Sequence, residues 1–450
     1  MNTVRFITYG CKANQYDTQV LRESLVRRGM LEQQRGADLV VVNTCTVTAE
    51  AGRKARQKIR RLVREDSNVK VCVTGCLAES EAEILRELPG VEWVLGNGDA
   101  KRPVNFLRQL GFDAQPEELG IPSGITAFAG HTRAFVKIQD GCDKACAFCI
   151  IPRTRGESRS RSIDELVAEV RGLVESGHLE VVLCGIHIGH WGLDLGLTLA
   201  DLMTALVAID ARDPAGRSLD FRLRLSSIEA TEVDDRLIGL MADHPERIAP
   251  HLHMPMQSGD DEILTRMNRW YTTAEYLAAC DRIRARVDRP AFTADILVGF
   301  PGEGERQFQN TLNTVERAGF ARVHVFPFSP RPETAAWTMG DRPTPEAVRE
   351  RRARLSELAH GLGEDFRRSL DGAGEWVVLE GTSGLSGRYQ RVRIELDDFP
   401  GALPAATRLT LEAREDLTRD PGERTVELVG RPRAARRSPG ASIQDPVVAT

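Results

Sequence analysis

The sequence is short of several things. Trp, Tyr and Phe together make up only 6% of its 450 residues. No apolar run approaches the roughly 20 residues that a bilayer-spanning helix needs, so no membrane partner is expected. The start, Met1-Asn-Thr-Val-Arg-Phe-Ile7, lacks the apolar centre of a secretion signal, and a cytoplasmic protein is expected. Net charge is only −5, so no global field gathers nucleic acid, and any RNA must be held by local basic patches. Cysteine is scarce but patterned: nine residues, an odd number, in short clusters. In a reducing compartment that favours metal or redox chemistry over disulfides. What remains is ordinary globular composition, 28% charged and 41% hydrophobic, at a length of about three domains.

The densest signal is Gln139-Asp-Gly-Cys142-Asp-Lys-Ala-Cys146-Ala-Phe-Cys149-Ile-Ile-Pro152. Three cysteines at Cys-x3-Cys-x2-Cys spacing follow the strand-like run Ala134–Ile138. Thiolates bind tetrahedral zinc or the irons of a cluster. Zinc in a structural site wants a fourth ligand, for which His131, His187 and His190 are candidates. A cubane held by three cysteines keeps one iron open for chemistry. An unliganded loop is the third reading.

Residues 1–118 alternate strand and helix, as in a doubly wound parallel sheet. Strands are expected at Val4–Thr8, Asp38–Val42 and Val69–Thr74, with helices at Gln15–Gly29, Ala49–Arg64 and Glu79–Leu88. Cys11, Cys45 and Cys76 each follow one of these strands, at the edge where such sheets bind ligands. The trio reads as a second shared site or as three small residues in tight turns. Cys72, inside the third strand, reads as a small buried hydrophobe. The second helix has a dense basic face, which suits either phosphates or solvent.

Residues 132–368 carry six strand–helix units. After the cysteine strand come Glu180–Cys184, Leu219–Leu225, Ile248–Met254, Phe292–Val298 and Arg322–Phe328. Ser162 and Glu165 form a capping-box pattern ahead of a helix over 163–176. Six consecutive units predict an open or partial (βα)6 barrel, with function at the carboxyl ends of its strands. The cysteine loop lies there. So do Gly185-Ile-His-Ile-Gly189, Ser226-Ser-Ile-Glu229, Pro255-Met-Gln257-Ser-Gly259 and Gly299-Phe-Pro-Gly302. Cys184 and Cys280 read as core, and His251 and His253 as structural histidines.

Residues 369–430 alternate with period two between Gly and Pro turns, as a small β-barrel does. Residues 371–430 hold 12 acidic and 7 basic residues. That balance makes docking or stabilisation an alternative to RNA binding. Arg388, Tyr389, Arg391 and Arg393 are the RNA-facing candidates. Residues 431–450 read as a disordered basic tail.

Cys142-x3-Cys146-x2-Cys149, with Phe148 before the last cysteine, resembles the radical S-adenosylmethionine (SAM) signature. With Cys11, Cys45 and Cys76 ahead of it, the chain resembles the methylthiotransferases of that superfamily. Tyr9–Asp17, Gln139–Cys142, Gly185–Gly189, Arg224–Glu229 and His251–Gly259 look most like the tRNA threonylcarbamoyladenosine branch. By position, residues 369–430 resemble a TRAM domain. The resemblance implies two 4Fe–4S clusters, on Cys142, Cys146 and Cys149 and on Cys11, Cys45 and Cys76. It also implies SAM at the first cluster's open iron, sulfur presented at the second, and methylthio transfer to C2 of the adenosine 3′ of the anticodon. Phe148, Glu229 and Gln257 are the implied SAM contacts. A low-potential electron donor such as a flavodoxin or ferredoxin is implied as a partner. Ala145, Gly304 and Glu333 depart from the family pattern, which bears on substrate fit. The alternatives are the same chemistry on isopentenyladenosine or a ribosomal protein, and a zinc nucleic-acid-binding protein without catalysis.

Overall fold

Five parallel strands open the chain: β1 (Thr3–Thr8), β2 (Leu31–Glu32), β3 (Leu39–Thr44), β4 (Lys70–Gly75) and β5 (Val91–Leu95), in the order β2-β1-β3-β4-β5. The computed structural model describes residues 1–46, 49–113, 124–128, 130–395, 406–415 and 426–432. Alternation along β3 splits the core. Leu39 and Val41 pack with Leu21, Leu25, Cys72 and Phe106 on one face. Val40 and Val42 pack with Ala55, Ile59, Leu62 and Leu77 on the other. A strand buried on both faces is what a parallel sheet between two helical layers requires. Each such side chain contributes about 1.5–3 kcal/mol. Helix α1 (Lys12–Arg27) follows β1, α2 (Ala49–Glu65) follows β3, and α3 (Cys76–Ser80) follows β4. Two strands beyond the three expected complete the sheet. β2 is two exposed residues and β5 is a half-exposed edge, so neither carries a strong apolar pattern. The helix expected over 79–88 is broken at Glu81, with Ala82–Arg86 as a separate turn.

The central strands are β6 (Arg133–Lys137), the short antiparallel pair β7 (Gln139–Asp140) and β8 (Arg159–Ser160), then β9 (Glu180–Cys184), β10 (Arg222–Leu225), β11 (His251–His253), β12 (Ala291–Val298) and β13 (Arg322–Pro327). β6, β9 and β10 form one parallel ladder, and β11, β12 and β13 another. Single parallel bridges at Leu223–Ile248 and Ser227–His253 stitch the two together. The result is a six-stranded partial (βα) barrel, with no ladder between β6 and β13 among the described residues. β11 is shorter than the sequence suggests because Pro250 has no N–H to donate to a ladder. The capping box of Ser162 and Glu165 opens the helix Ile163–Glu175 as expected. A 24-residue helix, Pro345–Arg368, ends this region.

Residues Met1–Phe366 and Gly387–Tyr389 form one compact unit. The described residues of 367–386 and 390 onward form a second. In it β14 (Gly374–Glu380), β15 (Ser383–Ser386), β16 (Arg391–Ile394), β17 (Ala406–Glu415) and β18 (Val426–Pro432) close a barrel in the order β14-β15-β16-β18-β17. Val377, Val378, Val392, Leu409, Leu411 and Leu428 fill it. Arg431 and Pro432 belong to β18, paired with Thr410 and Leu409, and not to a tail. The rest of the expected tail lies outside the described residues.

Candidate functional site

The two cysteine trios sit at strand ends prepared by glycine. Gly10, Gly75 and Gly141 precede Cys11, Cys76 and Cys142 and hold φ of +98°, +96° and +74°. A Cβ on Gly75 would stand 2.4 Å from the Thr44 carbonyl oxygen, and one on Gly141 would stand 1.8 Å from that of Glu157. No L side chain fits either place. Gly10 serves a close approach of another kind. A Cβ there would meet Cys45 Cβ at 2.7 Å and its Sγ at 3.0 Å. Missing that Cβ, the backbone just before Cys11 lies against the Cys45 thiol. In-register pairing of Thr8 with Asn43, and of Thr44 with Gly75, brings all three turns to one level of the sheet.

Around this first-domain trio the charge is positive. Arg155 donates to Asn14 and to Asp17; burial lowers it, but Asp140 and Asp17, and after them the nearby Cys76 and Cys11, raise it well above the usual range. Buried Lys101 donates to Asp17 and to Asn43 and lies within electrostatic range of Cys76. Asn97 Nδ2 is 3.6 Å from Cys76 Sγ and donates to the Thr154 carbonyl at 2.7 Å. Arg331, beyond β13, donates to Thr46 next to Cys45. Cys184, at the end of β9, is raised by burial and then by charge on Cys11. Through Asn14, Thr46 and Asn97, the turns that carry the trio touch Arg155, Arg331 and Thr154 of the barrel region.

In the barrel loop, Cys142 N–H donates to Gly156 O and Cys149 N–H to Cys146 O, both at 3.0 Å. The loop is pinned from outside. Ala147 N–H donates to Met267 O, Ala336 N–H to Ala147 O, and Asn268 Nδ2 to Ala145 O. Burial raises Cys142, and it pushes Cys149 up to about 12, with charge on Cys146 and Cys142 adding to the rise. Cys142, Cys146 and Cys149 are each half-buried, and three cysteine sulfurs on one loop are the donor chemistry of an iron–sulfur or zinc site. Cys72, Cys184 and Cys280 are buried core, as expected.

Two cationic or polar arms reach the loop's sulfurs. Arg269 Nη1 stands 3.2 Å from Cys146 Sγ, and Nη2 holds Glu229. Burial raises Glu229, and Arg269 opposes that rise. His187 Nδ1 lies 3.5 Å from Cys142 Sγ, while its Nε2 is 2.8 Å from Glu232 Oε1. Although burial raises Glu232, hydrogen bonds from His187 and His190 hold it at about 2. Of the three histidines considered as zinc ligands, His187 stands at a cysteine and His190 stacks on it at 3.8 Å; His131 packs on Phe128.

Other candidates fall as follows. Phe148 meets Phe300 edge-on at 6.4 Å, with Ala147, Ile263, Met267 and Ala336 around them. Gln257 has φ +63° and bridges Ile296 through its backbone, a conformation that non-glycine residues adopt rarely. Arg388 departs from its expected outward place. It is buried and bonds the Asp288 carboxylate and the Asp288 and Arg289 carbonyls. Tyr389 stacks on His251 at 4.6 Å, beneath Arg224. Arg391 is exposed, and Arg393 pairs with Glu427 and Glu395. Arg269, Arg155 and Lys101 were not legible in advance. They lie far from the cysteines in sequence, and no spacing announces them.

Comparison with known proteins completes the picture. Residues 136–315 match the Radical SAM superfamily, and residues 3–96 match the uncharacterized protein family UPF0004. Among solved structures, the radical S-adenosylmethionine methyltransferase TsrM of Kitasatospora setae superposes with TM-score 0.53. It is 14% identical and covers 83% of this chain and 76% of that one, a likeness of fold. The protein is thus a radical SAM enzyme in class. Curated relatives narrow this. The threonylcarbamoyladenosine tRNA methylthiotransferase of Bacillus subtilis is 38% identical over 81% of this chain and 82% of its own. That of Chlamydia pneumoniae is 33% identical over 93% and 97%. The tRNA-2-methylthio-N(6)-dimethylallyladenosine synthase of Clavibacter sepedonicus is 32% identical over 87% and 77%. The chain belongs to the radical SAM methylthiotransferase family.

Proposed function

We propose that the protein adds a methylthio group at C2 of N6-threonylcarbamoyladenosine in tRNA, next to the anticodon. The observation that carries this is the placing of two cysteine trios at facing strand ends of one compact unit. Cys142, Cys146 and Cys149 hold one 4Fe–4S cluster, and Cys11, Cys45 and Cys76 hold a second. When bound, the clusters and SAM supply the one-electron and sulfur chemistry that replaces a C–H bond by C–S.

The chain's own residues supply the setting. Arg269 neutralises the Cys146 side of the barrel loop and is held there by Glu229. His187, oriented by Glu232, stands against the Cys142 sulfur. Lys101 and Arg155 offset charge at the other trio. Phe148 and Phe300 exclude water behind the loop. The protein works in the reducing cytoplasm and takes its electron from a flavodoxin- or ferredoxin-like donor.

Relatives named for dimethylallyladenosine support the same chemistry on a different base. Mass spectrometry of tRNA nucleosides from a deletion strain separates the two. Loss of 2-methylthio-threonylcarbamoyladenosine, restored by the gene, is the expected result. Loss on the dimethylallyl nucleoside instead, or an unchanged profile, overturns the assignment.

A further inference from the structure

Helix α2 carries seven cations and no acid between Arg53 and Arg64. Its inner side is spoken for, since Ala55, Ile59 and Leu62 pack on β3 and β4. Arg56 pairs with Glu81, Arg61 with Glu65 at 2.6 Å, and Arg53 donates along the helix to Gln57 at 3.4 Å. Arg53, Arg60 and Arg64 are exposed, and their spacing of seven and four residues places them in one stripe along the outer face. At 1.5 Å per residue the stripe is about 16 Å long, enough for several phosphates of a nucleic-acid strand. The helix starts four residues after Cys45. Its far end borders a groove of about 740 Å³, where Arg5, Arg35, Lys58 and Arg61 outnumber Glu65 and Asp66. The Arg5 Nε is buried there with no hydrogen-bond partner among the described residues.

We propose that this face of α2, with the groove, is a docking surface for the phosphate backbone of tRNA, leading the substrate toward the Cys11, Cys45 and Cys76 edge. The proposal rests on the tRNA reading above. An acidic electron-carrier protein is the other polyanion that suits such a face. RNA is favoured because α2 belongs to the β3–α2–β4 unit that positions Cys45 and Cys76. An electron donor must instead approach the barrel loop of Cys142, Cys146 and Cys149.

The test is fluorescence-anisotropy titration of the iron-loaded protein with labelled tRNA transcript between 50 and 200 mM salt, with R53Q/R60Q/R64Q against wild type. The expected result is a loss of about tenfold or more in affinity at about 0.1 M salt. The slope of log K against log salt becomes shallower by about 2–3, for three lost phosphate contacts. Iron content and SAM binding stay at wild-type level, and R53K/R60K/R64K keeps the wild-type slope. The surface is overturned if the glutamine variant binds as wild type does. It is also overturned if R171Q/R317Q/R349Q, which removes three exposed arginines elsewhere, shows the same loss, or if flavodoxin affinity falls while tRNA affinity holds. Wild-type protein that binds no tRNA overturns the tRNA reading itself, and this surface with it.

Discussion

At the residue scale the site depends on a few side chains with no room to vary. Gly75 combines a positive φ with a carbonyl oxygen at 2.4 Å from where its Cβ would be. Gly75→Ala is therefore expected to move Cys76 out of place. Iron content should fall from about eight toward about four per chain, with absorbance and iron assay as the check. Arg269 and Glu229 are a buried pair, their side chains 3% and 12% exposed. Removing Arg269 alone strands a buried carboxylate, so Arg269→Met is expected to cost about 3–5 kcal/mol in chemical unfolding. Arg269→Met with Glu229→Leu should recover most of that, because the stranded carboxylate is gone. Full cost in the double variant would mean that packing around the guanidinium, and not charge, holds the loop. The cysteines were legible because their close spacing in one loop and their places just after apolar strands are written in the chain itself. Arg269 was not, because an ion pair to a distant carboxylate leaves no periodic trace. Arg388 misled for a related reason: an arginine in a barrel hairpin reads as exposed, and only the fold shows Asp288 beside it.

At the element scale the critical contact is α1 against the barrel. Asp17 of α1 takes Lys101, Lys137 and Arg155 together, and Asp140 shares Lys137 and Arg155. Burial alone raises both acids. The surrounding cations outweigh it and hold Asp17 well below the carboxylate range and Asp140 at about 2. An unfolded aspartate titrates near 4. A depressed folded pKa therefore contributes stability that is complete above about pH 4 and is lost as pH falls through about 2. The urea midpoint of wild type is expected to drop across that window. Asp17→Asn leaves three cations with Asp140 as their one remaining carboxylate, and Lys101 without its ion-pair partner. It should lower stability by about 3–5 kcal/mol already at pH 7 and flatten the acid limb. An acid limb unchanged by Asp17→Asn would place the titrating groups elsewhere. Most of the βα rhythm was legible because strands buried on both faces read as apolar runs. β2 and β5 were not, because a two-residue edge and a half-exposed edge bury too little to leave a pattern.

At the scale of the whole molecule, one compact unit sets the carboxyl edge of a doubly wound sheet against the mouth of a partial barrel. Each brings three cysteines. The family follows from the chain as a whole: relatives match it over most of its length, while any one motif would leave zinc open. The measurement that tests the account most directly is iron and sulfide analysis, with Mössbauer spectra, of anaerobically purified protein and two triple variants. Wild type is expected to carry about eight irons per chain. C142A/C146A/C149A and C11A/C45A/C76A should each keep about four, as a single cubane with distinct spectra in the two cases. About four irons in wild type, unaffected by loss of Cys11, Cys45 and Cys76, would contradict the two-cluster account.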